Sequence, residues 1–152
     1  MLDILTDDER FAVSACRAVA RAVQTGTAVV SPVVYAELGV CFEPAAPDLD
    51  DFLRELGIKP DATLAENTLK VAARAWHLYL RQRGQQGQCP HCGQAFDLIC
   101  PRCERRVAWR QRMLADFLIG AHALMQADTL LTRDRRLYEA YFTDLALAPS
   151  DT

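Results

Sequence analysis

Apolar residues recur along this chain at the two periods that separate helices from strands. Ala12, Ala15, Cys16, Val19 and Val23 fall at three- and four-residue steps, the spacing of one buried helical face. Asp7 or Asp8 stands where such a helix is capped, and Gly26 breaks the pattern. Ala28-Val29-Val30 is a short continuous apolar run of the kind that forms a strand buried on both faces. Ser31-Pro32 then offers a cap and a first helical residue for a helix carrying Tyr35, Glu37 and Leu38. Glu43 to Pro47 reads as a loop. Asp48 opens a short helix with Leu49, Phe52, Leu53 and Leu56 facing inward, and Gly57 closes it. Ile58-Lys59-Pro60 reads as a brief strand at a sheet edge, where proline is tolerated.

The second half begins with Thr63-x-x-Glu66, a capping-box pattern ahead of a long helix whose apolar face is Leu69, Ala72, Ala73, Trp76 and Leu80. Gly84 ends it. From Gln85 to about Val107 the helical period vanishes. It resumes near Arg112, with Leu114, Phe117, Leu118, Ala121 and Leu124 at core spacing. Asp128 to Leu131 reads as a strand, Thr132-Arg133-Asp134 as a turn into a helix bearing Leu137, Tyr138 and Tyr141, and Leu145 to Leu147 as a last strand. Short apolar strands separated by helices predict an α/β fold, a parallel sheet flanked by helices. The expected organisation is one body, residues 1–84 and 108–152, interrupted by an insertion at 85–107.

A chain of 152 residues suffices for one such domain. No run approaches the roughly 18 apolar residues of a membrane span. The start, Met1-Leu2-Asp3-Ile4 followed by Asp7-Asp8-Glu9, lacks the basic and apolar regions of a signal peptide. The expectation is a cytoplasmic protein with no membrane partner. The net charge of −3 does not suggest nucleic acid, but its distribution does. Between Arg81 and Arg112, seven arginines (81, 83, 102, 105, 106, 110 and 112) face only Asp97 and Glu104. A basic segment on an acidic body can grip phosphates, or simply be a set of solvated helix ends.

Six cysteines in a cytoplasmic chain do not imply a disulfide framework. Cys16 and Cys41 stand alone in apolar contexts, where buried small hydrophobes are expected. The other four form Cys89-Pro-His-Cys92-Gly and Cys100-Pro-Arg-Cys103, two CxxC pairs seven residues apart. Each pair can turn both sulfurs toward one metal, with proline shaping the turn and Gly93 permitting positive φ, and four thiolates suit tetrahedral Zn²⁺. Iron and a dithiol pair are the alternatives. With every position filled by protein, such an ion activates no water. It orders a hairpin, strand Ala95 to Ile99, that is too small to bury a core of its own. His91, inside the first pair, is expected to be exposed.

Three carboxylates sit in apolar surroundings: Glu37 within Val33-Val34-Tyr35-Ala36-Glu37-Leu38, Asp116 within Leu114-Ala115-Asp116-Phe117-Leu118-Ile119-Gly120, and Asp134 after Leu130-Leu131-Thr132-Arg133. Sites in open α/β sheets form at the carboxyl ends of strands, where Glu37 and Asp134 are expected. Clustered carboxylates repel, and Mg²⁺ or Mn²⁺ relieves that cost. Two such ions can activate water and stabilise a leaving oxygen in phosphodiester cleavage.

Ser31 with Glu37, then Asp116-Phe-Leu-Ile-Gly-Ala-His-Ala, then Leu130-Leu-Thr-Arg-Asp134 with Tyr138 and Tyr141-Phe142 resemble the successive motifs of PIN domains. The nearest group is the VapC-type toxins of toxin–antitoxin pairs. The resemblance covers nearly all of the chain except the cysteine insertion. It implies a Mg²⁺- or Mn²⁺-dependent endoribonuclease, commonly a homodimer, acting on RNA and held inactive by a cognate antitoxin. Glu37, Asp116 and Asp134 match the family's acidic positions, and Thr132 matches the threonine that orients the last of them. The family opens with a strand ending in Asp-Thr/Ser-Asn, which supplies its first metal-binding carboxylate. Leu2-Asp3-Ile4-Leu5 resembles the helix after that motif, so the first strand is expected to be absent. Asp3 is the substitute ligand to consider. A misplaced start codon and an inactive copy are the two readings that follow.

Two other functions compete: a non-catalytic RNA- or antitoxin-binding module of the same fold, and a zinc-ribbon adaptor with the α/β body as scaffold. The remaining residues have plainer expectations. Asp128 is a loop carboxylate, Trp76 and Trp109 pack, and His122 is a surface or packing histidine. Arg133, Arg135 and Arg136 are helix-start charges or phosphate contacts.

Overall fold

In the computed structural model, residues 1–42, 48–82, 84, 86–89, 92–107 and 112–149 are described. The loop expected at Glu43–Pro47, and His91, Trp109, Arg83 and Arg110, lie outside the described residues. The elements run α1 (Leu2–Leu5), α2 (Ala12–Thr25), β1 (Ala28–Val30), α3 (Pro32–Gly39), α4 (Leu49–Glu55), β2 (Ile58–Pro60), α5 (Glu66–Gln82), β3 (Gly87–Gln88), β4 (Ala95–Phe96), α6 (Leu114–Gln126) and α7 (Arg135–Tyr141).

β1 and β2 pair in parallel, Ala28 opposite Ile58 and Val30 opposite Pro60, with α3 and α4 as the crossover between them. The parallel pairing and the alternation of helices with strands make this an α/β fold. The strands expected at 128–131 and 145–147 shrink to one parallel bridge, Leu130 to Leu147. It is held by Leu130 N–H to the Ala146 carbonyl at 2.9 Å and Ala148 N–H to the Leu130 carbonyl at 3.0 Å.

Local signals explain the starts of α2, α3 and α4. The Ser31 hydroxyl accepts from Val34 N–H at 3.3 Å ahead of Pro32, so α3 begins as expected. Asp48 caps α4. Asp8 accepts from the N–H groups of Arg10 and Phe11, both at 3.0 Å, and the regular helix follows from Ala12.

α5 departs from expectation in start and phase. Asp61 draws Thr63 N–H into a 2.9 Å bond, so Thr63 joins an Asx-type turn and the helix begins at Glu66 instead of being boxed by Thr63. Its buried stripe is Thr68, Ala72, Ala75 and Tyr79, whereas Leu69 and Leu80 are exposed. The two alanines let α5 close on α6, and Trp76 and Tyr79 bracket Phe117 with ring centroids 5.1 and 5.5 Å away. Aromatic fit at this contact outweighs the larger leucines.

Two cores result. One is formed by Val19, Val30, Leu38, Leu49, Leu53 and Ile58 around the parallel pair. The other joins α5, α6 and α7 through Ala72, Phe117, Ala121, Leu137, Tyr138 and Phe142. α3 packs against α6, linking the halves. Cys16 and Cys41 are exposed, contrary to expectation. The neighbours of α2 are chiefly the short α1 and β1, which shield Ala12 and Val19 but leave Cys16 open. α3 stops at Gly39, which releases Cys41 from its buried face.

Candidate active site

Glu37 stands near the end of α3, Asp116 in the first turn of α6, and Asp134 just before α7. The packing of α3 on α6 draws the first two together. Partial burial, and then the negative charge of Asp116, push the Glu37 carboxyl above the usual glutamate range. The Asp116 carboxylate accepts from Met113 N–H at 2.9 Å, at a helix start where unpaired N–H groups and the helix dipole favour negative charge.

Asp134 occupies the N-cap position of α7, yet its side chain makes no capping bond. It turns instead to Arg112. The two form an ion pair through Nη1 and Oδ2, with a second contact of 3.4 Å between Nη2 and Oδ1. Partial burial of the guanidinium works against its charge. The bond to Asp134 and the charges of Asp134 and Asp116 outweigh that effect and raise its pKa. Tyr138, buried on α7, reports on the whole cluster. Burial first, then Asp116, then Asp134, raise the pKa of its phenol far above the ordinary range, with Arg112 opposing and Glu37 adding. One tyrosine thus feels all three sequence-predicted carboxylates and one guanidinium.

The remaining candidates are placed elsewhere or do less. Thr132 is half-buried and, among the described residues, makes no hydrogen bond to Asp134. Asp3 binds Arg133 at 3.1 Å, and Arg133 also lies 3.9 Å from the Phe11 ring centroid. Arg135 bonds Glu139 at 3.1 Å and the Ala148 carbonyl at 2.7 Å. Two of the three arginines beside Asp134 are therefore engaged within the fold. His122 is a packing histidine, nearly fully buried, with Nε2 3.0 Å from Asp61. Thr63 N–H and then, against the effect of burial, the His122 bond hold the Asp61 carboxyl below its usual range. Trp76 packs in the core and Asp128 is exposed, both as expected. Sequence reasoning missed Arg112 and the Asp61–His122 pair. Asp61 carried a signal, because it follows β2 at the strand's carboxyl end.

The cysteine segment forms two turns of one design. Gly93 N–H donates to the Cys89 carbonyl at 2.8 Å and Cys89 N–H to the Gln94 carbonyl at 2.9 Å. In the second turn Glu104 N–H donates to the Cys100 carbonyl and Cys100 N–H to the Arg105 carbonyl, both at 2.9 Å. Gly93 and Glu104, equivalent in the two turns, both adopt positive φ, 74° and 55°. The antiparallel β3–β4 pair frames the first turn and the Ile99–Arg106 bridge the second. N–H groups of Cys103 and Arg102, then the Cys103 side chain, lower the pKa of the Cys100 thiol and favour its thiolate.

The donor sets suit their metals in chemistry: hard carboxylate oxygens for Mg²⁺ or Mn²⁺, thiolates for Zn²⁺. In geometry the fit is partial. Among the described residues, no three His, Cys, Asp or Glu side chains are gathered closely enough to hold an ion. Nor, among them, is any helix long and apolar enough to cross a membrane.

No curated protein and no solved structure matches the chain. The PIN domain family model matches residues 1–143. That family is a nuclease-type α/β module whose members generally use divalent metals and commonly bind RNA. With that match over nearly the whole chain and an α/β architecture built on a parallel strand pair, this chain belongs to the PIN-domain family.

Proposed function

We propose that the protein is a Mg²⁺- or Mn²⁺-dependent endoribonuclease, with Glu37, Asp116 and Asp134 as the residues that hold the ion. The observation that carries this reading is the packing of α3 on α6, which brings Glu37 toward Asp116, with Asp134 tied by Arg112 to the start of the same helix. The mutual repulsion of Glu37 and Asp116 is a cost that a bound cation would relieve. When bound, the ion supplies an activated water and stabilises charge on the phosphate. The chain's own residues do the rest. Asp116 is fixed in orientation by Met113 N–H. Tyr138 stays a neutral phenol beside the carboxylates, so it adds no further negative charge.

In the same reading, Cys89, Cys92, Cys100 and Cys103 hold a structural Zn²⁺ that orders the 85–107 hairpin. The protein acts in the cytoplasm, where thiols remain reduced, as the toxin of a type II toxin–antitoxin pair. It forms a homodimer inhibited by a cognate antitoxin. A second reading, a non-catalytic RNA- or antitoxin-binding module, draws on the ion pair that engages Asp134. Cleavage of a fluorescent RNA with Mn²⁺ separates the two. The nuclease reading expects turnover that is abolished by chelation and reduced about 100-fold or more by Asp116→Asn. RNA binding without turnover supports the module.

A further inference from the structure

Arg112 is anchored at both ends. Its backbone N–H donates to the Tyr79 hydroxyl at 3.3 Å, and its guanidinium reaches both carboxylate oxygens of Asp134. The side chain is 30% exposed, shielded enough for its charge to act strongly on neighbours. Asp116 is one of those neighbours. A guanidinium never deprotonates in a protein, so pH does not relieve this contact.

We propose that Arg112 is a built-in cation of the acidic cluster, which a divalent metal ion must displace from Asp134 in order to bind. The inference rests on the nuclease reading above and adds a regulating residue to that site. A forked guanidinium takes one lone pair on each oxygen of Asp134, the two that an ion chelated through both oxygens would need, so such an ion must bend or break the pair. A divalent ion between Asp116 and Asp134 would also sit close to the guanidinium charge, and the two cations repel. Arg112 stands just beyond the cysteine hairpin and two residues before α6, whose first turn carries Asp116. The competing cation and a proposed metal-binding carboxylate therefore lie within five residues of one another.

The test is Mn²⁺ affinity, read from the electron paramagnetic resonance of free Mn²⁺ during titration of the full chain, with melting curves to verify folding. Arg112→Ala is expected to bind Mn²⁺ about tenfold more tightly than the unmodified protein, and Arg112→Lys, which lacks the fork, a few-fold more tightly. Both gains should vanish in an Asp134→Asn background, which a merely structural role for Arg112 would not produce. If Arg112→Ala fails to fold, Arg112→Lys carries the same comparison. Equal or weaker binding by the Arg112 variants, with the unmodified protein binding Mn²⁺, overturns the competition and leaves the nuclease reading standing. No binding by any form overturns both.

Discussion

Glu37, assigned to the proposed metal site, shows how one side chain lowers stability at neutral pH. Its pKa is raised in the folded chain by burial and by Asp116, so folding favours the protonated form. The sign follows directly. The favourable contribution is complete below the ordinary glutamate pKa and is lost as pH rises through the raised one. Glutamine stays neutral throughout and keeps it. Glu37→Gln is therefore expected to melt higher than the unmodified protein at neutral pH, with the gap closing below about pH 4. Thermal melts across pH measure this, and a lower melting temperature at neutral pH would contradict it. Glu37, Asp116 and Asp134 stood out in the sequence because charge in an apolar context needs a reason. Arg112 was not legible. It stood among seven arginines, and only the fold turns one of them onto Asp134.

At the scale of elements, caps and breakers were readable because they act over three or four residues, as Ser31-Pro32 and Asp48 did. The phase of α5 was not, because it depends on a partner far along the chain. Leucine spacing pointed one way, and the rings of Trp76, Tyr79 and Phe117 settled it another. Gly120 makes the same point on α6. A Cβ there would lie 2.6 Å from Cε2 of Phe142, a buried ring with little room to shift. Gly120→Ala is expected to lose about 1–3 kcal/mol in denaturant unfolding despite alanine's higher helix propensity. A gain in stability would mean that α7 and α6 are less tightly joined than described. The two cysteine turns, matched in hydrogen bonds and in positive φ, carry the zinc reading. The purified protein should contain about one zinc per chain, and Cys100→Ser should largely lose it. Elemental analysis decides this, and a metal-free chain with all six thiols reactive would count against the site.

The molecule as a whole joins a parallel α/β pair, a helical core of α5, α6 and α7, and a segment with two matched cysteine turns. The alternation of apolar runs and helices made the α/β class legible. It overstated the extent of the sheet, since the segments at 130 and 147 meet in only one bridge. Hydrophobic runs reveal where strands can form. Their length is set by how much backbone the neighbouring segment can reach. The central claim is that this assembly cleaves RNA by metal-assisted attack of water. The most direct measurement is the chemistry of the RNA ends produced with Mn²⁺, by the unmodified protein and by Asp116→Asn in parallel. Attack by water on the phosphodiester is predicted to leave 5′-phosphate and 3′-hydroxyl ends, with the products absent in the variant. Cyclic 2′,3′-phosphate ends, or equal cleavage by both proteins, would contradict the account.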